Sequence, residues 1–430
     1  MVSIILNDPA ASRNGYIRKI GFIGGFFFIF GFVTWLNGTL IPYLRIACEL
    51  KVWESYLVTF AFYISYTVMA IPSSKLLEHT GMIRGMRLGL AIMALGCLLF
   101  VPAALVRKYP LFLLALFIVG TGLTILQTAV NPYITLLGPA KSAAQRISIM
   151  GLCNKCAGVL APFILGSILL NNSSGLINEL KQLQPFERTL RLNLLARHVI
   201  LPYTILTVIL LFIAFIIKYG KLPEIKPVLL DHDKVLPGAK KSPIYKNSNL
   251  IFGFVAIFCA IGAEVIAGDT IANYGLYHGL RLDLAKNLTS YSLASMVVGY
   301  LFGTLTIPRI ISQEKAFLYS GFLGLAITAL AITVPGSTSI VFIASLNLAN
   351  ALLWPAIWPQ ALKGLSNDQI SKASAILIMG IAGGAIMPLL YGWASQYTNS
   401  QNAYWVLFPC YLFNLYYWLL GSRRNRKYSS

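Results

Sequence analysis

Charge is what this sequence has least of. Only 11% of its 430 residues are charged and 57% are apolar, whereas soluble domains carry about 25% charged residues. So few ionic groups cannot cover a surface in water. This excludes a soluble globular protein and leaves lipid as the solvent. Acids are scarcer still, with 14 Asp and Glu against 34 Lys and Arg. The resulting charge of +20 does not describe a nucleic-acid surface, because the bases fall in short clusters between apolar runs. All four histidines (His79, His198, His232, His278) lie in loops or at the ends of apolar runs, which argues against a histidine proton relay. The six cysteines (Cys48, Cys97, Cys153, Cys156, Cys259, Cys410) show no metal-ligand spacing. Cys153 and Cys156, one helical turn apart, read as small packing residues. No HExxH, nucleophile elbow, P-loop or paired-acid motif occurs, so neither an enzyme nor a cofactor is expected. A cleavable signal peptide is not expected either, because the first apolar run is too long and is read as a retained span.

What the sequence does have is long apolar runs. A helix needs roughly 20 apolar residues to cross a bilayer. Twelve runs qualify, near 20–46, 55–76, 86–106, 111–137, 147–170, 198–218, 249–276, 289–308, 316–335, 339–361, 373–395 and 403–421. They are called spans 1 to 12 below. An even count puts both termini on one side. The segments on that side hold 23 Lys and Arg and the opposite loops hold 10, counting bases at span ends with the adjoining loop, and Lys155 is the only base deep in a span. The positive-inside bias therefore makes both termini cytoplasmic. The expected fold is an all-α membrane protein of two pseudo-symmetric six-helix bundles, over 1–218 and 249–430. A polar, Lys-rich cytoplasmic linker over 219–248 joins them. Residues 178–197 mix Leu with Lys, Glu and Arg, as a short amphipathic helix on the membrane surface would.

The two bundles share a pattern. Span 5 contains Gly158, Pro162 and Gly166, and span 11 contains Gly384, Pro388 and Gly392, each pair 226 residues apart. Pro132 in span 4 and Pro355 in span 10 are 223 apart. Matched Gly/Pro interruptions in two halves point to a transporter whose binding site lies between them.

A charge at mid-membrane costs roughly 2.5–3.5 kcal/mol on insertion scales, so intramembrane ionisable groups are functional candidates. Only two acids, Glu264 and Asp269, lie inside a span, and both are in span 7. They stand roughly 140° apart around a helix and are not expected to share one partner. Either could carry a proton. The alternative is a structural ion pair with Lys155. Among neutral groups, Gln127 and Asn131 lie on one face of span 4, Asn37 in span 1 and Asn154 in span 5. Amides both donate and accept, which suits sugar hydroxyls, although the same groups can bond helix to helix. Trp354 and Trp358 lie four apart on span 10, with Trp35 in span 1. Trp354 lies about 13 Å along the helix from Lys363, at about 1.5 Å per residue, too deep for an interfacial anchor. It is read as a cavity residue, and Trp358 remains open between the two roles.

Four segments carry a resemblance: Gly31 to Pro42 (GFVTWLNGTLIP), Leu126 to Pro139 (LQTAVNPYITLLGP), Arg146 to Asn154 (RISIMGLCN) and Gly380 to Pro388 (GIAGGAIMP). Together they resemble the fucose:proton symporter family of the major facilitator superfamily, with the glucose/galactose-type bacterial permeases nearest in pattern. The resemblance implies twelve spans, a central sugar cavity and alternating access. It also shows departures. The fucose branch has an acid where Gly38 stands, Glu where Gln127 stands, and Gln where Gly151 stands, while Asn154 matches. By the repeat offset Gly38 corresponds to about position 264, so the coupling acid is expected to have moved to span 7. The overall expectation is a monomeric importer of a hexose or deoxyhexose (glucose, galactose or fucose) in the bacterial inner membrane, driven by proton symport. The alternatives are sodium coupling, uniport, or transport of N-acetylglucosamine or drugs.

Overall fold

The computed structural model describes residues 13–136, 143–170, 175–219, 247–307, 310–363, 365 and 367–429. Every regular element among them is helical. Eleven helical segments within the described residues are long and apolar enough to cross a membrane. The twelfth apolar run forms a 3-10 turn, Asn402–Val406, leading into the helix Leu407–Ser429. Apart from its ends, the connection 219–248 lies outside the described residues.

Six spans contain a single long helix each: Leu57–Thr80 (span 2), Met82–Val106 (3), Tyr109–Leu136 (4), Ala143–Leu169 (5), Ile200–Tyr219 (6) and Gln313–Thr333 (9). Span 8 is Leu288–Thr306, with the short helix Leu282–Ala285 ahead of it. Four spans are interrupted. Span 1 is Arg13–Trp35 then Asn37–Ala47, and span 7 is Ser248–Asp269 then Ile271–Tyr277. Span 10 is Thr338–Asn350 then Leu353–Leu362, and span 11 is Asn367–Met379, a turn at Gly380–Ala382, then Gly383–Tyr397.

Two of these interruptions have local causes. Pro355 has no amide to give the carbonyl four residues back, and span 10 breaks there, at 351–352. Thr270 donates its hydroxyl to the Ile266 carbonyl at 2.7 Å, a back-bond that bends helices. At that bend the carbonyls of Ala267 and Gly268 are taken by hydroxyls of span 8: Ser292 donates to the first at 3.1 Å and Thr289 to the second at 2.8 Å.

The internal repeat has a counterpart in packing. Without a solvent-driven hydrophobic force between them, membrane helices associate where small residues let backbones approach. A Cβ on Gly31 of span 1 would overlap the carbonyl of Asn154 in span 5. A Cβ on Gly383 of span 11 would overlap the carbonyl of Phe258 in span 7. Spans 1 and 7 correspond by position, as do 5 and 11. The same crossing is thus built twice, with the glycine on opposite partners. The repeated glycines of spans 5 and 11 also receive side chains from the other set of helices. Gly166 lies against the Lys286 side chain at 3.5 Å, and Gly392 against Tyr56 and the Trp53 backbone at 3.1 Å, both measured from an added Cβ.

The stretch expected to be amphipathic forms two helices, Leu176–Gln182 and Pro185–Arg197. In the second, Leu192, Leu195 and Ala196 are buried, and Phe186, Leu190 and Leu194 face outward. The Tyr43 hydroxyl donates to the Leu195 carbonyl, pinning this helix to the second piece of span 1. All six cysteines are free.

Replacing Gly383 with Val forces the span 7–span 11 crossing apart at a cost of about 1–3 kcal/mol. A lower melting temperature in detergent is the expected result. Gly25→Ala is expected not to lower it, because nothing lies within 4 Å of its added Cβ.

Candidate functional site

The ionisable residues singled out in the spans meet where the helices before residue 220 face those after residue 246. Span 5 presents Lys155 and span 7 presents Glu264, with Nζ 2.5 Å from Oε1 and the two side chains 11% and 10% exposed. The Lys155 ammonium also sits 5.2 Å from the centroid of the Trp35 ring, within cation–π range. Trp35 is 1% exposed. Its slot is cut by two glycines: an added Cβ on Gly158 would lie 3.1 Å from Nε1, and one on Gly268 3.2 Å from Cη2. One aromatic ring therefore joins spans 1, 5 and 7 around the ion pair.

Asp269 has a different environment. It is fully buried (0% exposed), and Oδ2 accepts a 2.9 Å hydrogen bond from Thr59 of span 2. Its Oδ1 has no hydrogen-bond partner, and no cation is within ion-pairing distance, among the described residues. One turn further on, Asn273 accepts from Arg45 at 3.2 Å and donates to Ser55 at 3.3 Å. Residues four apart share a helix face, so 269 and 273 form one edge of span 7 held by residues 45–59. Tyr56 meets Tyr391 edge-on at 5.8 Å between centroids, and Lys286 donates to the Leu170 carbonyl at 3.2 Å. These contacts lie toward the end of the bundle opposite the termini and close the seam there. A shallow cavity of about 360 Å³ lies on the same seam, lined by Arg45, Lys51, Val52, Ser395, Gln396 and Ser400.

The amides are more dispersed. Asn37 begins the second piece of span 1, is 1% exposed, and its Nδ2 has no hydrogen-bond partner among the described residues. Gln127 donates to the Tyr66 hydroxyl at 3.1 Å, and Tyr66 stacks on Tyr63 at 6.2 Å. Asn154, next to Lys155, donates to the Phe27 carbonyl at 3.3 Å. The Asn131 side chain lies outside the described residues. Trp354 and Trp358 are half-buried and stack on each other at 5.1 Å.

Sequence reasoning missed Thr59, Arg45, Asn273 and a buried polar chain in the C-terminal helices. In that chain Tyr411 donates to Asn350 (2.8 Å), Asn350 to Asn347 (2.9 Å) and Asn347 to Ser292 (3.0 Å), which bonds the Ala267 carbonyl. Asn273 carried one usable signal, its four-residue spacing from Asp269. The hydroxyls carried none, because Ser and Thr are ordinary in membrane helices.

A family model described as Major Facilitator Superfamily matches residues 22–386. The chain belongs to that superfamily. It is 30% identical over 428 residues to a glucose/galactose transporter of Brucella abortus, covering 98% of this chain and 99% of the relative. It is 26% identical over 402 residues to an L-fucose-proton symporter of Escherichia coli, covering 91% and 90%. Its fold matches the crystal structure of the superfamily transporter FucP in the outward conformation, with a TM-score of 0.72 at 24% identity over 94% of this chain and 99% of that one. This major facilitator protein is therefore a multi-pass membrane transporter and not an enzyme.

The departure at Gly38 has a steric side in this member of the superfamily. An added Cβ there would lie 2.6 Å from Thr289 Cγ2, so an acid has no room at this position in this arrangement. The matched crossing of Gly31 and Phe258, 227 residues apart, sets Gly38 opposite Val265, beside Glu264. The helix breaks correspond less closely, since Leu36 and Thr270 are 234 apart.

Removing one partner of a buried ion pair strands the other, at about 3–5 kcal/mol. Lys155→Met alone is expected to lower thermal stability by that order in a detergent melt. The double variant Lys155→Met/Glu264→Gln is expected to recover most of the loss.

Proposed function

We propose that the chain imports a monosaccharide of the hexose or deoxyhexose class by proton symport, exposing one site alternately to each side of the membrane. The observation that carries this reading is the pairing of two unlike buried acids at the seam with nearly full-length relatedness to a glucose/galactose transporter. Charges buried in a membrane mark ion and solute paths. A salt bridge and a lone carboxyl that both link the two sets of helices can bias how those sets sit against one another. The L-fucose-proton symporter among the relatives favours the proton as coupling ion.

The candidate sugar contacts are Asn37, Gln127, Asn131 and Asn154, with Trp354 and Trp358 for the apolar face of the ring. Asn37 is supported by its buried amide nitrogen, which has no hydrogen-bond partner among the described residues. Gln127 and Asn154 each have a donor engaged within the protein, so sugar hydroxyls would add to those bonds or replace them. Glu264, Asp269 and Lys155 are the candidate coupling groups. The charge bias supports cytoplasmic termini, and the bacterial relatives support an inner-membrane location. On that orientation the closed seam faces outward.

Sodium coupling is the second reading, and a direct comparison separates the two. In vesicles holding the purified protein, uptake should appear for at least one of glucose, galactose, fucose, mannose and N-acetylglucosamine. An imposed acid-outside gradient should drive it, a protonophore should abolish it, and replacing sodium with choline at fixed pH should not alter it. Uptake that follows sodium and ignores the proton gradient would transfer the coupling role to Na⁺.

A further inference from the structure

We propose that Asp269, and not Glu264, takes up and releases the coupling proton, with Thr59 as the residue that positions it across the seam. This deepens the proton-symport reading above and rests on it. The two acids of span 7 differ in one decisive respect. Glu264 faces a cation at 2.5 Å, so close opposite charges offset each other's burial. Asp269 is more deeply buried, yet it has a single neutral donor and one oxygen with no hydrogen-bond partner among the described residues. A carboxyl in such a place is compatible with the closed seam only when it carries no charge.

Among the described residues no cation pairs with it. Span 2 contributes Thr59 and the phenols of Tyr56 and Tyr63. Span 1 contributes Trp35, against Gly268, and Arg45, whose guanidinium is engaged one turn further on by Asn273. Span 8 contributes the hydroxyls of Thr289 and Ser292 on the carbonyls of Gly268 and Ala267. Tyr404 bonds Thr270 at 2.9 Å. On the same helix, Glu264 is paired with Lys155 of span 5.

The same geometry favours a proton over sodium. Interrupted helices of ion-coupled transporters coordinate sodium through backbone carbonyls freed by the break. Here the carbonyls of Ala267 and Gly268 already accept hydroxyls from span 8. A proton needs only the carboxyl that Thr59 already bonds, whereas a sodium ion would have to share carbonyl oxygens already accepting those hydroxyls.

The proton balance is simple. With the seam open, water reaches the carboxylate, which binds a proton from that side, and the neutral carboxyl lets Thr59 and the neighbouring contacts close. Loss of the proton to the other side restores an unpaired anion in a closed seam, which drives the seam open again.

Counterflow exchange and uphill accumulation separate this assignment from its alternatives. Asp269→Asn keeps an acceptor for Thr59 and is neutral at every pH. It should exchange labelled sugar while accumulating none. Under a one-unit gradient that is a fall from at most about tenfold over equilibrium, for one proton per sugar, to equilibrium. Lys155→Met/Glu264→Gln should respond to the gradient at whatever rate it retains. Thr59→Val should lower accumulation and Thr59→Ser should restore it. Gradient-driven accumulation by Asp269→Asn overturns the assignment, as does loss of counterflow in an Asp269→Asn protein that still binds sugar. If Asp269→Asn fails to reach the membrane, unchanged accumulation by Thr59→Val overturns it. If the unmutated protein accumulates nothing under the gradient, the symport reading fails first and takes the assignment with it.

Discussion

The ion pair between Lys155 and Glu264 constrains much of what surrounds it. Among the described residues it is the one ion pair withdrawn from water, and its partners come from opposite halves of the chain. Two charges in a low-dielectric interior are tolerable only in close contact with further polar or polarisable support. Trp35 supplies that support from a third helix. Its ring fits because Gly158 and Gly268 leave space on either side. The closeness of spans 1, 5 and 7 is thus set by the needs of two side chains, and Asp269 is placed one and a half turns further along the same helix.

Much of this was legible in the sequence for one reason. Ionic groups are so unfavourable in hydrocarbon that the few present stand out against 57% apolar residues. Glu264, Asp269 and Lys155 could therefore be picked out, and an ion pair with Lys155 anticipated as one alternative. What could not be read was rotation about each helix axis. Gln127 turns to Tyr66 and Asn154 to a backbone carbonyl, while Trp354 and Trp358 stack on each other. Helical spacing fixes which residues share a face but not what that face meets. Thr59 and Ser292 were invisible for a second reason. A hydroxyl costs little in a membrane helix, and the partners lie on other helices, 210 residues away in the case of Thr59 and Asp269.

The repeated Gly/Pro pattern has acquired a physical meaning. Gly166 and Gly392 occupy equivalent places in their respective halves of the sequence, and each receives a side chain from the other half. Gly31 and Gly383 carry the same crossing from opposite sides. A major facilitator protein that brings two similar sets of helices together can thus use one recipe twice. The small residue sits wherever the closest approach falls, and not always on the same helix.

The kink at Thr270 differs from a free joint. Two hydroxyls of span 8 hold the carbonyls it exposes, and the Thr270 hydroxyl braces the turn from within. Flexing the kink would strip those oxygens of their partners in a place where no water can replace them. Spans 7 and 8 are in effect splinted together, so that a displacement felt at Asp269 is passed to its neighbour as rigid movement instead of being absorbed as local bending.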